Sequence, residues 1–435
     1  GGSIRFDGSD LFGVDKKYRY LPLYSVSGLW RISQEPFMAS AKWIDNLVVR
    51  ASYGLQGNID KNTSPFLLGN YRIENILPGG SEDMIDVSGA PNKKLRWEKT
   101  HSVNAGFDFA VLNQAINLSV DYYYRKGVDL IGTQMLPLET GFEMLTVNWA
   151  SMRNQGVEVA LSTRNVHTKN FMWTTNFNFA YNNNKVLKEA LREDALEPGR
   201  EGYPAGALFA LKTAGLDEEG YPMFQDKDGK AVSAMEFFKL QEWGFGATDL
   251  TARERRELYT YVGTADCPYT GGFNNTFTYK AFELGVNFSF DFGGKVRSQP
   301  TYSIVDFDKG RNTNRDILNR WTPENTETIF PVLLSQNERL DEYMWYSNQN
   351  EIYRNLDIWI RDLNYVRLQN IRLGYTLPTN FSRTLGMTSA TVAIEGRNLL
   401  VFGSSYKNYL DPETMSNAYA TPAPKSVTLS LNLIF

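Results

Sequence analysis

The residues of this chain that could do chemistry are few and poorly placed for it. Among 435 residues there are two histidines, His101 and His167, and a lone Cys267. That supply argues against a histidine-based metal centre, a disulfide framework and a cysteine metal site. Asp226-Lys227-Asp228-Gly229 opens like a calcium loop, but the third carboxylate position and the distal Glu are missing. A β-turn in a polar loop explains it better. Asp121, Glu139 and Glu143 suggest a carboxylate pair for glycosidic hydrolysis, yet 49 acidic residues make such coincidences inevitable. No GxSxG, Gly-rich phosphate loop or Cys/His pair is present. The expectation is a protein that is not an enzyme and needs no cofactor. A net charge of −4 without a long basic run argues against nucleic acid as a partner.

What the chain does carry is a recurring polar series. Arg50, Asn104, Asp108, Asn117, Asp121, Asn176, Asn178, Glu283, Asn287 and Asp291 all fall at alternate positions within apolar runs. Loop aromatics form a second group: Trp243, Trp345, Tyr346 and Tyr409 offer flat faces for stacking on sugar rings, or for packing loop against loop.

The elements that position these residues are strands. In the last eleven residues, KSVTLSLNLIF, Val427, Leu429, Leu431, Leu433 and Phe435 alternate with polar residues, so one face is apolar throughout. Leu47–Leu55, Val103–Phe109, Ile116–Tyr124, Trp173–Tyr181 and Phe282–Phe292 repeat the pattern. Less regular members cover 1–7, 20–32, 153–164, 270–280, 363–376 and 389–400, which makes twelve strands. Glu35–Leu47, with Phe37, Met38, Ala41, Trp43 and Ile44, predicts one short amphipathic helix after Pro36.

No run of about 18 apolar residues occurs, which excludes a transmembrane helix but not a barrel. In a barrel the apolar face meets lipid and the polar face a watery lumen, and closure removes the exposed edge. The 26 Phe, 24 Tyr and 9 Trp suit interfacial girdles. Connections alternate short and long, with 57–100, 126–152, 183–269 and 293–362 the long ones. An up-and-down barrel with short periplasmic turns and long outer loops predicts that order. The loops are rich in Trp, Tyr and Gly, so folded extracellular structure is expected there. The fold class is therefore all-β, a transmembrane antiparallel up-and-down β-barrel in the outer membrane. The ten polar residues named above are expected to face its lumen.

Several stretches carry a family resemblance: FDGSDLFG (6–13), LVVRASYGLQGN (47–58), VDYYYRKGVDLI (120–131), NWASMRNQGVEVAL (148–161), NFNFAYNNNKVL (176–187), YTGGFNNTFTYKAFEL (269–284), YVRLQNIRLGYTLP (365–378), VAIEGRNLLVF (392–402) and LDPET (410–414). In this order they resemble the C-terminal portion of the SusC/RagA family of TonB-linked outer-membrane transporters from Bacteroidetes. The resemblance implies a closed barrel of about 22 strands in the family, of which residues 1–435 resemble the last twelve. It implies an N-terminal plug, TonB box and first strands that are absent from this chain, and the start at Gly1 without methionine or signal peptide likewise reads as a mature product or a fragment. It also implies uptake of a nutrient, glycan first and oligopeptide second, under a SusD-like surface lipoprotein. TonB would act through the N-terminal part, and two transporter–lipoprotein pairs would form a dimer. Other expected partners are the N-terminal barrel and plug portion, outer-membrane lipid and the barrel-assembly machinery. By the same resemblance, Leu431, Leu433 and Phe435 form the C-terminal signal which that machinery reads. A surface-adhesion barrel without transport and a soluble glycan-binding β protein are the other readings.

Overall fold

A computed structural model describes residues 1–9, 19–59, 66–77, 80–142, 144–241, 247–298, 310, 315–333, 354–384, 386–403, 411–415 and 420–435. Twelve strands form one antiparallel sheet in chain order. They are β1 (Gly2–Gly8), β2 (Tyr20–Arg31), β3 (Ile44–Asn58), β4 (Glu98–Val111), β5 (Ile116–Met135) and β6 (Met144–His167). The series continues with β7 (Phe171–Lys188), β8 (Tyr269–Tyr279), β9 (Phe282–Arg297), β10 (Ile360–Thr376), β11 (Ser389–Phe402) and β12 (Ser426–Ile434). Each strand pairs with the next, so the topology is up-and-down throughout. Among the described residues the sheet is open, with β1 and β12 as its edges.

The register shows why these residues make a membrane wall. Leu47, Phe109, Leu118, Leu161, Phe177, Phe273, Phe288, Leu368 and Leu400 lie directly opposite one another along nine consecutive strands. One residue away, on the other face, runs Asn46, Ala110, Asn117, Ser162, Asn176, Asn274 and Asn287, and a bulge at Gln369 carries the row on to Asn370. A period of two sends neighbouring side chains to opposite faces, so a single-residue step separates a Leu/Phe surface from an amide surface.

Two aromatic rows bound the apolar face. Tyr122, Tyr181, Tyr269 and Phe292 share one row, reached from β5 to β7 through Val157. Phe171, Tyr279, Phe282 and Tyr375 share the other. Tyr269 and Tyr279 are the ends of the 11-residue β8. At about 3.4 Å per residue and a tilt of about 40°, the rows stand about 25 Å apart in height, the depth of an outer-membrane apolar band.

Short connections lie at one end: 32–43, 112–115, 168–170, 280–281 and 377–388. At the other end are 9–19, 59–97, 136–143, 189–268, 298–359 and 403–425. The expected hairpin at Lys280–Ala281 is present, with Lys280 at φ 52°. The described parts of the long connections are folded, as expected. Leu68–Leu77 and Gly80–Gly89 make a separate hairpin. Residues from 189–268 and 298–359 share a hydrophobic core in which Leu211, Phe224, Leu356 and Trp359 are at most 1% exposed. That core includes residues of two short helices, α1 (Ala234–Phe237) and α2 (Ala252–Glu257), or packs beside them.

Two expectations are corrected. Glu35–Leu47 is not a helix: it holds a 3₁₀ turn at Pro36–Met38, and β3 already starts at Ile44. Its apolar spacing serves a different purpose, because Phe37 and Trp43 are 64% and 58% exposed and Trp43 meets Phe109 edge-on at 6.3 Å. The connection 126–152 is also not a long loop, since β5 and β6 continue through it to Met135 and Met144.

Candidate functional site on the polar face of the sheet

All ten polar-series residues fall on one face. Arg50, Gly106, Asp121, Glu158, Ala180, Thr270, Asp291 and Tyr365 are direct neighbours from β3 to β10. The other members sit an even number of residues away on the same strands. The structure therefore puts them on a common surface, but most are not in mutual contact.

Arg50 organises the first cluster. Its Nη1 donates to Asp108 at 2.9 Å and its Nη2 to Asp121 at 2.5 Å and to the Ser119 hydroxyl at 3.1 Å. Ser119 in turn donates to Asp108 at 2.7 Å. Gly106 lies between Arg50 and Asp121 in the row, and a Cβ there would collide with the Asp121 carboxylate and come within 2.7 Å of the Val120 carbonyl oxygen. The glycine gives the ion pair its space. A hydrolytic carboxylate pair is not assembled: Asp121 is held by Arg50, while Glu139 sits in the Leu138–Thr140 turn at the tip of the β5–β6 hairpin. Glu143 lies outside the described residues.

The amide row is chemically different. Asn117 donates to the Gln114 carbonyl at 2.9 Å. A cavity of about 430 Å³ is bordered by Asn46, Asp108, Asn117, Asn176, Asn178, Asn274 and Asn287. A second, of about 470 Å³, is bordered by Asp121, Glu158, Asn178 and Asp291. The amides of the first carry both donors and acceptors and no charge, so they bond hydroxyls and peptide groups alike, whereas three carboxylates border the second. Asn104 lies higher, opposite Ser52 and Tyr123. Glu283 lies near the short-turn end and accepts from Arg372 at 3.0 Å. Asp291 accepts from the Tyr365 hydroxyl at 2.5 Å.

Tyr365 belongs to a cluster that sequence reasoning missed. Arg367, 1% exposed, bonds Asp411 and, at 2.9 Å, Glu413. The position of Arg367 in an alternating strand flags it as polar-face. Nothing in the spacing links it to carboxylates more than forty residues later.

Leu431 and Leu433 are on the apolar face, opposite Val392 and Ala390, and Leu431 continues the Tyr375 row. Phe435 follows the strand and is 81% exposed. Trp243, Trp345, Tyr346 and Tyr409 lie outside the described residues. Asp226 is an Asx turn: its carboxylate accepts from the backbone N–H groups of Asp228 at 3.0 Å and Lys230 at 2.8 Å, with Gly229 at φ 81°. Among the described residues no group of three metal-ligating side chains occurs.

The family model of TonB-dependent receptor-like β-barrels matches residues 1–208. TonB-dependent receptor P3 of Formosa agariphila is 27% identical over 100% of this chain and 43% of its own length. SusC of Bacteroides thetaiotaomicron is 25% identical over 99% of the chain and 41% of its own length. The solved RagAB peptide transporter shares the fold, with a TM-score of 0.76 over 99% of this chain and 45% of that one, at 24% identity. The chain thus spans less than half the length of these relatives. Its residues 1–208 match the β-barrel of TonB-dependent receptors, and the chain is a protein of the outer membrane. Along its whole length it is similar to relatives of the SusC type, and it shares the fold of the solved RagAB transporter.

Proposed function

We propose that the chain forms part of the wall of a TonB-dependent importer that takes up oligosaccharide together with a SusD-like surface lipoprotein. The observation that carries this reading is the pairing of a Leu/Phe face, bounded by two aromatic rows, with an opposite face of amides and paired charges. The first suits lipid; the second suits a hydrated bore through which a hydroxyl-rich molecule passes. The ten polar residues then line the lumen or meet the plug supplied by the rest of the receptor. The long-connection layer, with its own core, is the extracellular side on which the lipoprotein would rest. Leu431, Leu433 and Phe435 serve as the assembly signal. TonB would act through the rest of the receptor, and two transporter–lipoprotein pairs would associate.

Oligopeptide is the second reading, favoured by the fold shared with a solved peptide transporter. Mass spectrometry of the complete receptor, purified in detergent with whatever accompanies it, separates the two. Retained oligosaccharide beside a lipoprotein supports the first reading, and retained peptide the second. A chain that extracts alone and without detergent overturns both.

A further inference from the structure

Arg367 occupies a polar-face position between Ser289 and Val401, yet water does not reach it. The connection from β11 to β12 covers it. β11 ends at Phe402, and Gly403 follows at φ 83°, so near β10 that a Cβ would lie 3.2 Å from the Asn364 carbonyl oxygen. Asp411 pairs with Arg367 Nη2 and accepts from the Glu413 N–H at 3.0 Å and the Ala423 N–H at 3.4 Å. Glu413 accepts from Arg367 Nε at 2.9 Å and from the Tyr365 hydroxyl at 3.2 Å. Met415, at the end of the turn, is 1% exposed. The returning limb is thus tied to Asp411, and Asp411 to the sheet.

The depth of this contact matters. Arg367 is level with Ser289, three residues inside the Phe292 aromatic row, or about 10 Å along the strand. Irregular backbone persists at membrane depth only where protein or a water-filled cavity surrounds it. The turn therefore stands on the bore side of the wall. The same cross-strand row contains Ser119 and Asn178, which border both cavities. A charged clamp is also a costly way to hold two elements together, because a guanidinium loses its hydration and a packed apolar pair would not. What two carboxylates on one fork provide is a single geometry.

We propose that Arg367 is a positioning residue for import: it clamps the Asp411–Met415 turn as a fixed inner shelf of the bore. Cargo passing the cavities meets that shelf in one place, and Arg367 itself does not touch the cargo. The role in import rests on the importer reading above; the clamp does not.

The test uses the complete receptor in outer membranes, spin-labelled at Thr414→Cys and Asn104→Cys in a Cys267→Ser background. Uptake is followed with two tritiated probes, a hydrolysate of mixed plant glycans and a tryptic digest of casein. With Arg367 present the label-to-label distance distribution is narrow. Arg367→Met broadens it and slows uptake at equal surface amount, and Arg367→Lys, which keeps the charge without the fork, falls between. Should Arg367→Met fail to reach the membrane, Asp411→Asn makes the same comparison with the guanidinium in place. A narrow distribution in the Met and Asn variants overturns the clamp. A broad one with unchanged uptake overturns the positioning role. A parent receptor that imports neither probe refutes the importer reading while the distances still decide the clamp.

Discussion

At the scale of single residues, the polar groups that matter are those whose neighbours leave them no alternative. Asn275 sits on the apolar face but is 7% exposed, and its side-chain oxygen accepts from Trp173 Nε1 at 2.9 Å and from the Thr175 hydroxyl at 2.7 Å. In lipid neither donor has water to turn to. Asn275→Leu is expected to cost about 1–3 kcal/mol, the price of leaving them unsatisfied, read as a lower denaturant midpoint of the receptor in micelles; an unchanged midpoint would show that the donors find other partners. Glu254, in α2 and outside the membrane, gives a pH prediction. Its carboxylate accepts from the Thr251 N–H and hydroxyl, each at 2.9 Å, and from Lys239 at 3.3 Å, which hold its pKa down to about 2 from an ordinary 4.5. A depressed carboxylate stabilises at pH above its unfolded value, and the contribution fades as pH falls from about 4.5 towards 2. Amide-exchange protection of α2, normalised for intrinsic rates, should therefore hold down to about pH 4.5 and then decline. Glu254→Gln should abolish that pH dependence; a decline of the same size in the variant would assign it to another group.

At the scale of elements, what was legible in the sequence followed from periodicity. All twelve strands show in the alternation, because one face must be apolar along its whole length and the other must not. The strand ends are harder to read. β5 was legible only to Arg125, since Asp129 takes φ 57° and the β5–β6 register shifts between Gly127 and Ile131. Those bulges break the phase on which the reading depends. Residues 35–47 misled for the opposite reason: apolar side chains at near-helical intervals belong here to a turn whose Phe37 and Trp43 are exposed at the short-connection end. β12 supplies the prediction at this scale. Its apolar residues Val427, Leu429 and Leu431 are 63–76% exposed, and Leu431 is in line with the Tyr375 row. If Phe435 belongs to an assembly signal rather than to an ordinary last strand, its removal takes away nothing that holds the sheet together. Deleting Phe435 is then expected to lower the outer-membrane yield while leaving the thermal stability of the assembled fraction unchanged. Immunoblotting of membrane fractions checks this, and unchanged yield refutes it.

At the scale of the whole molecule, the relation between the sheet and its surroundings rests on a one-residue step. The row Leu47–Leu400 and the amide row Asn46–Asn370 are interleaved on the same strands, so exchanging the faces would need only a slip of one residue in register. The cluster around Arg367 was not legible at any scale below this one, because its partners come from a connection whose path depends on the finished wall. The choice of face can be measured. Phe273 and Asn274 are consecutive in β8, between its two aromatic ends, and point to opposite sides. An arginine at a lipid-facing site near the bilayer midplane costs about 2–4 kcal/mol, whereas a lumen-facing one stays in water. Phe273→Arg is therefore expected to destabilise the receptor in lipid vesicles by about that much, beyond whatever Phe273→Ala costs, while Asn274→Arg remains close to the parent. Phe273→Ala isolates the loss of the ring from the gain of a charge. Equal penalties for the two arginines would mean that both faces meet apolar surroundings, and the bore would then have to lie elsewhere. A larger penalty at Asn274 would turn the wall inside out.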